Sequence, residues 1–358
     1  MSFFKDFIKE LINDGHSVDI ATNDSTRKPP DCYKEFGCRV FSLSCSRSPM
    51  DKGNLAAIGQ IRSLVEREKY DIVHCHTPIA AACTRIACRK FREAWGLKVF
   101  YTAHGFHFYK GAPLKNWLIY YPVEKICSRF TDKLITINCE DFELAKRKMR
   151  AKEVLYVPGV GIDLSRFQNI QVDRRAKRSE IGVPEDAFLL MSVGELNENK
   201  NHKVIIEALA RLNHPKVHYA IAGMGGKRDY LLELAKEFGV SERVHLLGFR
   251  KDIPELNHSA DVFCLPSRRE GLGLSAIEAM ACGMPIITSN THGINDYSVD
   301  GVTGYKCNPT DADGFAAALD KLVNDRNLRM KMGQENMVRA KKYESNTIIS
   351  LLKKIYGL

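Results

Sequence analysis

The chain has 358 residues, more than one hydrophobic core usually supports, so its length predicts two domains of ordinary size. An apolar content of 44% beside 27% charged residues marks a folded chain and excludes disordered and fibrous classes. The formal net charge of +10, most of it within residues 1–165, suits phosphorylated substrates, anionic lipid or nucleic acid, although a solvated basic surface explains most of these charges equally well.

The first predicted element is a helix over 2–13, where Phe3, Phe4, Phe7, Ile8, Leu11 and Ile12 form an apolar stripe at helical spacing. Short apolar, often β-branched runs then predict strands near 16–21, 39–43, 71–75, 98–102, 133–136 and 154–157, with helices between them. A doubly wound domain ordinarily opens on a strand and a glycine-rich turn, so the first strand is apparently missing here. A start assigned too far downstream and a lost strand both account for that. The polar, basic stretch 165–178 ends the first series, and strands recur near 189–193, 217–222, 244–247, 261–265 and 285–288. From Asp311 onward the pattern is helical. The expected organisation is α/β, with an acceptor-binding Rossmann-like domain over 1–167, a nucleotide-sugar-binding Rossmann-like domain over 168–340, and a helix over 341–358 that crosses back to the first.

No apolar run reaches the roughly 18 residues of a membrane-spanning helix, and the amino end lacks the order of a secretory signal, which predicts a cytoplasmic protein. The eleven cysteines are odd in number and include no CxxC pair, so they read as small buried hydrophobes.

The sharpest chemical signal is EGLGLSAIEAMACGMPII. Glu270 and Glu278 lie a little over two helical turns apart, on either side of a Gly271, Gly273 turn that opens a helix. Free amides and the positive dipole end of that helix suit a diphosphate, and the carboxylates can accept hydrogen bonds from sugar hydroxyls.

This segment resembles the two-glutamate signature of the retaining glycosyltransferases of family 4, which have the GT-B fold of two Rossmann-like domains and a cleft. VGELNENKNHKVIIEAL resembles the family's diphosphate loop, AGMGG its glycine turn, LGFRKDIPEL its base-contacting segment and TAHGFHFYKGAP its acceptor-side histidine loop. The resemblance implies that Lys200 contacts the donor diphosphate, Glu278 the ribose and Glu270 the transferred sugar. Gly271, Leu272, Gly273 and Leu274 would border the donor, as would Gly194, Asn199, Gly223, Gly225, Phe249 and Arg250. His104 would line the site near the reacting sugar, with His76, Gly105 and His107 on the acceptor side; for His107 a loop or packing role is the preferred reading. One departure is Glu195, where many members carry an arginine, and a carboxylate there would repel a diphosphate unless turned away or paired.

His74 and His76 alternate on one strand face, but no third ligand stands out, and Asp311 of the DAD triplet reads as a helix start. GMGG lacks the ribose-binding acid that a nicotinamide enzyme requires. No metal or other cofactor is expected. The aromatic and lysine-rich stretch from Phe106 to Tyr121 could meet a bilayer interface or a lipid acceptor, or pack a core helix.

The function this implies is retaining transfer of a hexose or N-acetylhexosamine from a nucleotide sugar, by default UDP-linked, to a glycan or polyprenyl-diphosphate-linked acceptor in surface polysaccharide synthesis. Peripheral contact with the cytoplasmic membrane face and no nucleic acid partner are expected with it. A noncatalytic partner subunit and a nucleotide-sugar epimerase are the alternatives.

Overall fold

The computed structural model of the chain describes residues 4–23, 31–46 and 48–358, so Ser2 and Phe3 of the first predicted helix lie outside the described residues. The fold divides into two compact units, Met1–Gly161 with Asn346–Leu358, and Ile162–Ser345.

The first unit holds six strands: β1 (Asp19–Thr22), β2 (Arg39–Ser42), β3 (Ile72–His76), β4 (Lys98–Ala103), β5 (Lys133–Thr136) and β6 (Glu153–Tyr156). They coincide with the six apolar runs of the sequence, yet they form two separate parallel sheets, β1-β2 and β3-β4-β5-β6. A doubly wound domain orders its strands 3-2-1-4-5-6. With β1 and β2 as the second and third strands of that scheme and β3 onward as the fourth and later ones, the sheet parts where the first strand belongs. Side chains reach across the break, the Tyr70 hydroxyl donating to Asp19 at 2.5 Å.

The opening helix, Lys5–Asn13, packs Phe7 and Leu11 with Ile348 and Leu352 of the closing helix, Ser345–Tyr356, over Ile135 of β5. Lys353 ties the two helices by ion pairs to Glu10 at 3.1 Å and Asp14 at 2.8 Å. On another side of the unit, Arg85 of the Pro78–Cys88 helix is wholly buried and pairs at 2.9 Å with Glu124 of the Leu114–Cys127 helix. Its guanidinium lies 4.2 Å from the Tyr101 ring centroid. Two buried charges are tolerable only because each neutralises the other.

The second unit is one six-stranded parallel sheet: β7 (Phe188–Val193), β8 (Val217–Ala222), β9 (Val244–Gly248), β10 (Val262–Leu265), β11 (Ile286–Ser289) and β12 (Gly304–Cys307), in the order β12-β11-β10-β7-β8-β9. That is the complete doubly wound order, and its switch point falls between β7 and β10, which pair Leu190 with Val262 and Met191 with Phe263. The strand β12 was not foreseen: only four residues long, it sits at the sheet edge behind a glycine-rich turn, where neither length nor alternation marks it. Asp311 caps the Ala312–Asn324 helix by accepting from the Gly314 amide at 2.9 Å.

All eleven cysteines are free thiols, and Cys139 alone is exposed. No helix among the described residues is long and apolar enough to cross a membrane.

Removing one partner of the buried pair strands the other charge. Glu124→Ala is expected to lower stability by about 3 kcal/mol, measured by urea unfolding, whereas Glu124→Ala combined with Arg85→Met should recover most of the loss.

Candidate active site

In the second unit the loops that leave β7 and β10 flank the switch point and are laced together. The Asn199 side-chain amide donates to the Arg269 carbonyl at 2.9 Å, and the Arg268 amide donates to the Asn199 carbonyl at 2.7 Å. Asn201, in a left-handed backbone conformation, donates to the carbonyls of Pro266 and Pro309 at 3.0 and 2.7 Å. These bonds bring Lys200 of one loop to Glu270 of the other, with Nζ to Oε1 at 2.7 Å and both side chains largely shielded from solvent.

Glycines make this approach possible. A side chain at Gly223 would overlap the Gly194 carbonyl, one at Gly225 would meet the Leu196 backbone, and Gly194 itself faces the Lys200 stem. Thus AGMGG admits the Lys200 loop against the turn after β8. Gly273, at φ +83°, is the N-cap of the Leu274–Ala281 helix, and a β-carbon there would strike Leu265 and the Tyr297 hydroxyl. The helix therefore starts immediately beside Gly271 and Leu272, with its positive end near the Lys200 and Glu270 pair.

Glu278 lies half-buried in that helix; burial pushes its carboxyl up while Arg166 opposes the shift. Glu195 is turned to Asn197, whose side-chain amide donates to it at 2.7 Å while its carbonyl oxygen accepts from the Lys200 amide. The unexpected carboxylate is thus held within its own turn. Phe249 is two-thirds exposed, and Arg250 is committed to Asp252 and Glu180.

No local pattern singles out His292, which the structure places at the base of the Glu270 loop. It is buried at a backbone φ of +42°, its Nδ1 lies 2.5 Å from the Glu270 carbonyl, and its Nε2 lies 3.0 Å from the Arg269 guanidinium. The available signal was a histidine directly before Gly293 in the loop after β11.

In the first unit three histidines gather at the carboxyl ends of β3 and β4. His76 Nδ1 and His104 Nε2 are 3.2 Å apart, and the His74 and His76 ring centroids are 4.4 Å apart. Phe4 lies against His76 at 4.4 Å between centroids. His74 bonds Tyr356 and Thr102 at 2.7 and 2.8 Å, the partner set of a packing residue. Gly105 follows His104 directly, and His107 stacks on Tyr120 at 4.5 Å. Phe106 and Phe108 are buried, with Trp117, Tyr120 and Tyr121 packed against them, so the aromatic stretch serves the interior. Among the described residues no group of three or more His, Cys, Asp or Glu is gathered to hold a metal ion.

Comparison with known proteins adds that residues 2–166 match the model for Glycosyltransferase Family 4 and residues 173–338 that for Glycosyl transferases group 1. The chain is 38% identical over 360 residues to EpsD of Bacillus subtilis (strain 168), a protein provisionally named as a glycosyltransferase, covering 99% of this chain and 93% of that one. It is 30% identical over 290 residues to an Escherichia coli UDP-Gal:alpha-D-GlcNAc-diphosphoundecaprenol alpha-1,3-galactosyltransferase, covering 77% of this chain and 74% of that one. In fold it is similar to Anabaena HepE, solved in complex with UDP and glucose, with a TM-score of 0.82 and 19% identity over 99% of this chain and 95% of that one.

Burial lowers the imidazolium pKa of His74 to about 3, of His104 to about 4 and of His76 well below its usual value. Their folded values lie beneath the unfolded one, so the unfolded chain takes up protons first as pH falls. The stability they contribute is full above about pH 6.5 and is lost as pH falls through the interval down to about 3. The melting temperature should be flat above neutrality and drop by roughly 5 °C or more between pH 7 and 5, read by a thermal scan across buffers.

Proposed function

The chain is a family 4 glycosyltransferase of the GT-B fold, a hexosyltransferase of the kind that serves polysaccharide or lipopolysaccharide synthesis, and we propose that it transfers a hexose or N-acetylhexosamine from a UDP-sugar to a lipid-linked or glycan acceptor with retention of configuration. The observation that carries this reading is the Lys200 and Glu270 pair beside a helix start at the sheet's switch point.

On this reading the diphosphate sits at the start of the Leu274–Ala281 helix, where backbone amides and the helix dipole favour negative charge. Lys200 transfers its attention from Glu270 to the departing phosphate. As the bond from the anomeric carbon to the diphosphate oxygen breaks, the electron pair leaves on that oxygen, and the lysine offsets the growing charge. Glu270 is then freed to accept hydrogen bonds from the sugar, and Glu278 takes the ribose hydroxyls. The acceptor hydroxyl bonds to the anomeric carbon on the face that the diphosphate leaves, and its proton passes to the departing phosphate oxygen. The transition state carries oxocarbenium character. No metal takes part, since Lys200 and the helix start supply the positive field.

His104 is neutral at physiological pH because burial depresses its pKa to about 4. A neutral imidazole can bond a sugar hydroxyl without itself attracting phosphate. The names of relatives support the substrate classes: an E. coli relative is named for a UDP-galactose donor and a diphosphoundecaprenol acceptor, and HepE is described with UDP and glucose. The work of this chain then belongs at the cytoplasmic face of a membrane.

The rival readings are a noncatalytic partner subunit and a nucleotide-sugar epimerase. A panel of UDP-, GDP- and ADP-sugars labelled in the sugar, offered with a polyprenyl-diphosphate-linked glycan, separates the cases. The expected outcome is label in the acceptor with the donor's anomeric configuration, and a loss of about 10²- to 10³-fold in Glu270→Ala. An inverted product overturns retention, label that stays in an altered nucleotide sugar indicates an epimerase, and binding without turnover indicates the partner subunit.

A further inference from the structure

Two loops hold the main chain around Glu270. The loop after β7 takes the Arg269 carbonyl and the Arg268 amide through Asn199. The loop after β11 takes two carbonyls further along: the Gly293 amide donates to Glu270 at 3.2 Å, and the Tyr297 hydroxyl donates to Gly273 at 3.3 Å. His292 adds a second bond to the same Glu270 oxygen, 2.5 Å from its Nδ1. A carbonyl oxygen has two lone pairs, so both are engaged here, one by the main chain and one by an imidazole.

The hydrogen on His292 has one place to be. The Arg269 guanidinium lies 3.0 Å from Nε2 and carries only N–H donors, so Nε2 accepts and Nδ1 bears the hydrogen that goes to the Glu270 carbonyl. Arg269 therefore sets the tautomer that holds its own neighbour in the chain.

This arrangement is kept against conformational preference. His292 sits at φ +42°, in the left-handed region that few residues other than glycine, asparagine and aspartate adopt. If the turn alone were needed, glycine would make it without strain. Strained residues persist where their surroundings over-determine them, and they gather at functional sites. His292 is 5% exposed, and both of these bonds run to the Glu270 loop, whose carboxylate reaches Lys200 at 2.7 Å.

We propose that His292 is the positioning residue for Glu270, fixing its main chain so that the carboxylate stands where Lys200 meets it. The substrate side of this role rests on the transferase reading, in which the same carboxylate takes the donor's sugar; the clamp itself rests on geometry. The role differs from that of Lys200. A nucleoside diphosphate without its sugar has no use for Glu270 and competes with it for the lysine, so loosening Glu270 spares or strengthens diphosphate binding while the sugar loses its partner.

The test compares wild type, His292→Gly and His292→Asn in three readouts. These are calorimetric affinity for whichever of UDP, GDP and ADP wild type binds tightest, kcat/KM for hydrolysis of the matching nucleotide sugar, and amide hydrogen exchange across residues 267–273. Glycine accepts the φ and deletes both side-chain bonds, whereas asparagine also tolerates that conformation and carries an N–H at the reach of Nδ1. In His292→Gly, kcat/KM is expected to fall about tenfold or more and exchange to quicken by a similar factor, with diphosphate affinity equal or tighter. His292→Asn should bring both back to within roughly threefold of wild type, because the bond and not the ring is what positions the loop. Wild-type turnover and exchange in His292→Gly overturn the proposal. Equal losses in the two variants overturn it in favour of the ring's volume, and diphosphate affinity that falls in step with turnover overturns it in favour of general damage to the site. If wild type turns over no donor, the transferase reading fails and exchange alone decides: faster in His292→Gly and restored in His292→Asn supports the clamp, and unchanged in both overturns it.

Discussion

The ion pair between Lys200 and Glu270 is the contact on which the proposed chemistry of the second unit depends. Parallel strands deliver their loops to one edge, and the order β12-β11-β10-β7-β8-β9 makes β7 and β10 the neighbours whose following loops diverge. Opposite charges on those two loops meet there because the side-chain amides of Asn199 and Asn201 stitch the loops by donating to backbone carbonyls and because glycines at 194, 223 and 225 leave room. The pair keeps the lysine extended beside a helix start without donor. On the proposed reading it also sets a condition on binding: a diphosphate would have to compete with a carboxylate already in contact, with the helix start favouring it.

The first unit is built on a different balance. Its sheet is in two pieces, so the opening and closing helices, joined through Phe7, Leu11, Ile348 and Leu352 and through Lys353, contribute cohesion that an unbroken sheet would supply by its own ladder. Three low-pKa histidines and Phe4 occupy the carboxyl ends of β3 and β4, where a doubly wound domain gathers ligand-facing residues. Deep burial keeps these imidazoles neutral, and that links the site's chemistry to the pH dependence of folding.

Much of this was legible in the residues. Among the described residues eleven of twelve strands fell on apolar runs, because a parallel strand covered on both faces is written as a continuous hydrophobic stretch. The glutamate pair stood out by local spacing, and Lys200 and the AGMGG turn through the resemblance to family 4. What stayed hidden depends on distant partners: the burial of Arg85 against Glu124, the containment of Glu195 by Asn197, and the grip of His292 on the Glu270 loop. The aromatic stretch shows the limit most directly. By composition Trp117, Tyr120 and Tyr121 suited an interface and a core helix equally, and tertiary packing took them inward and left Leu114, Leu118 and Ile126 outside.

The central claim, that Lys200 exchanges Glu270 for the donor's phosphates, is tested most directly by calorimetric titration of UDP and of uridine into wild type and Lys200→Ala. The account predicts that UDP binds at least tenfold more weakly to the variant while any uridine affinity is unchanged. Equal UDP affinity in the two proteins would contradict it.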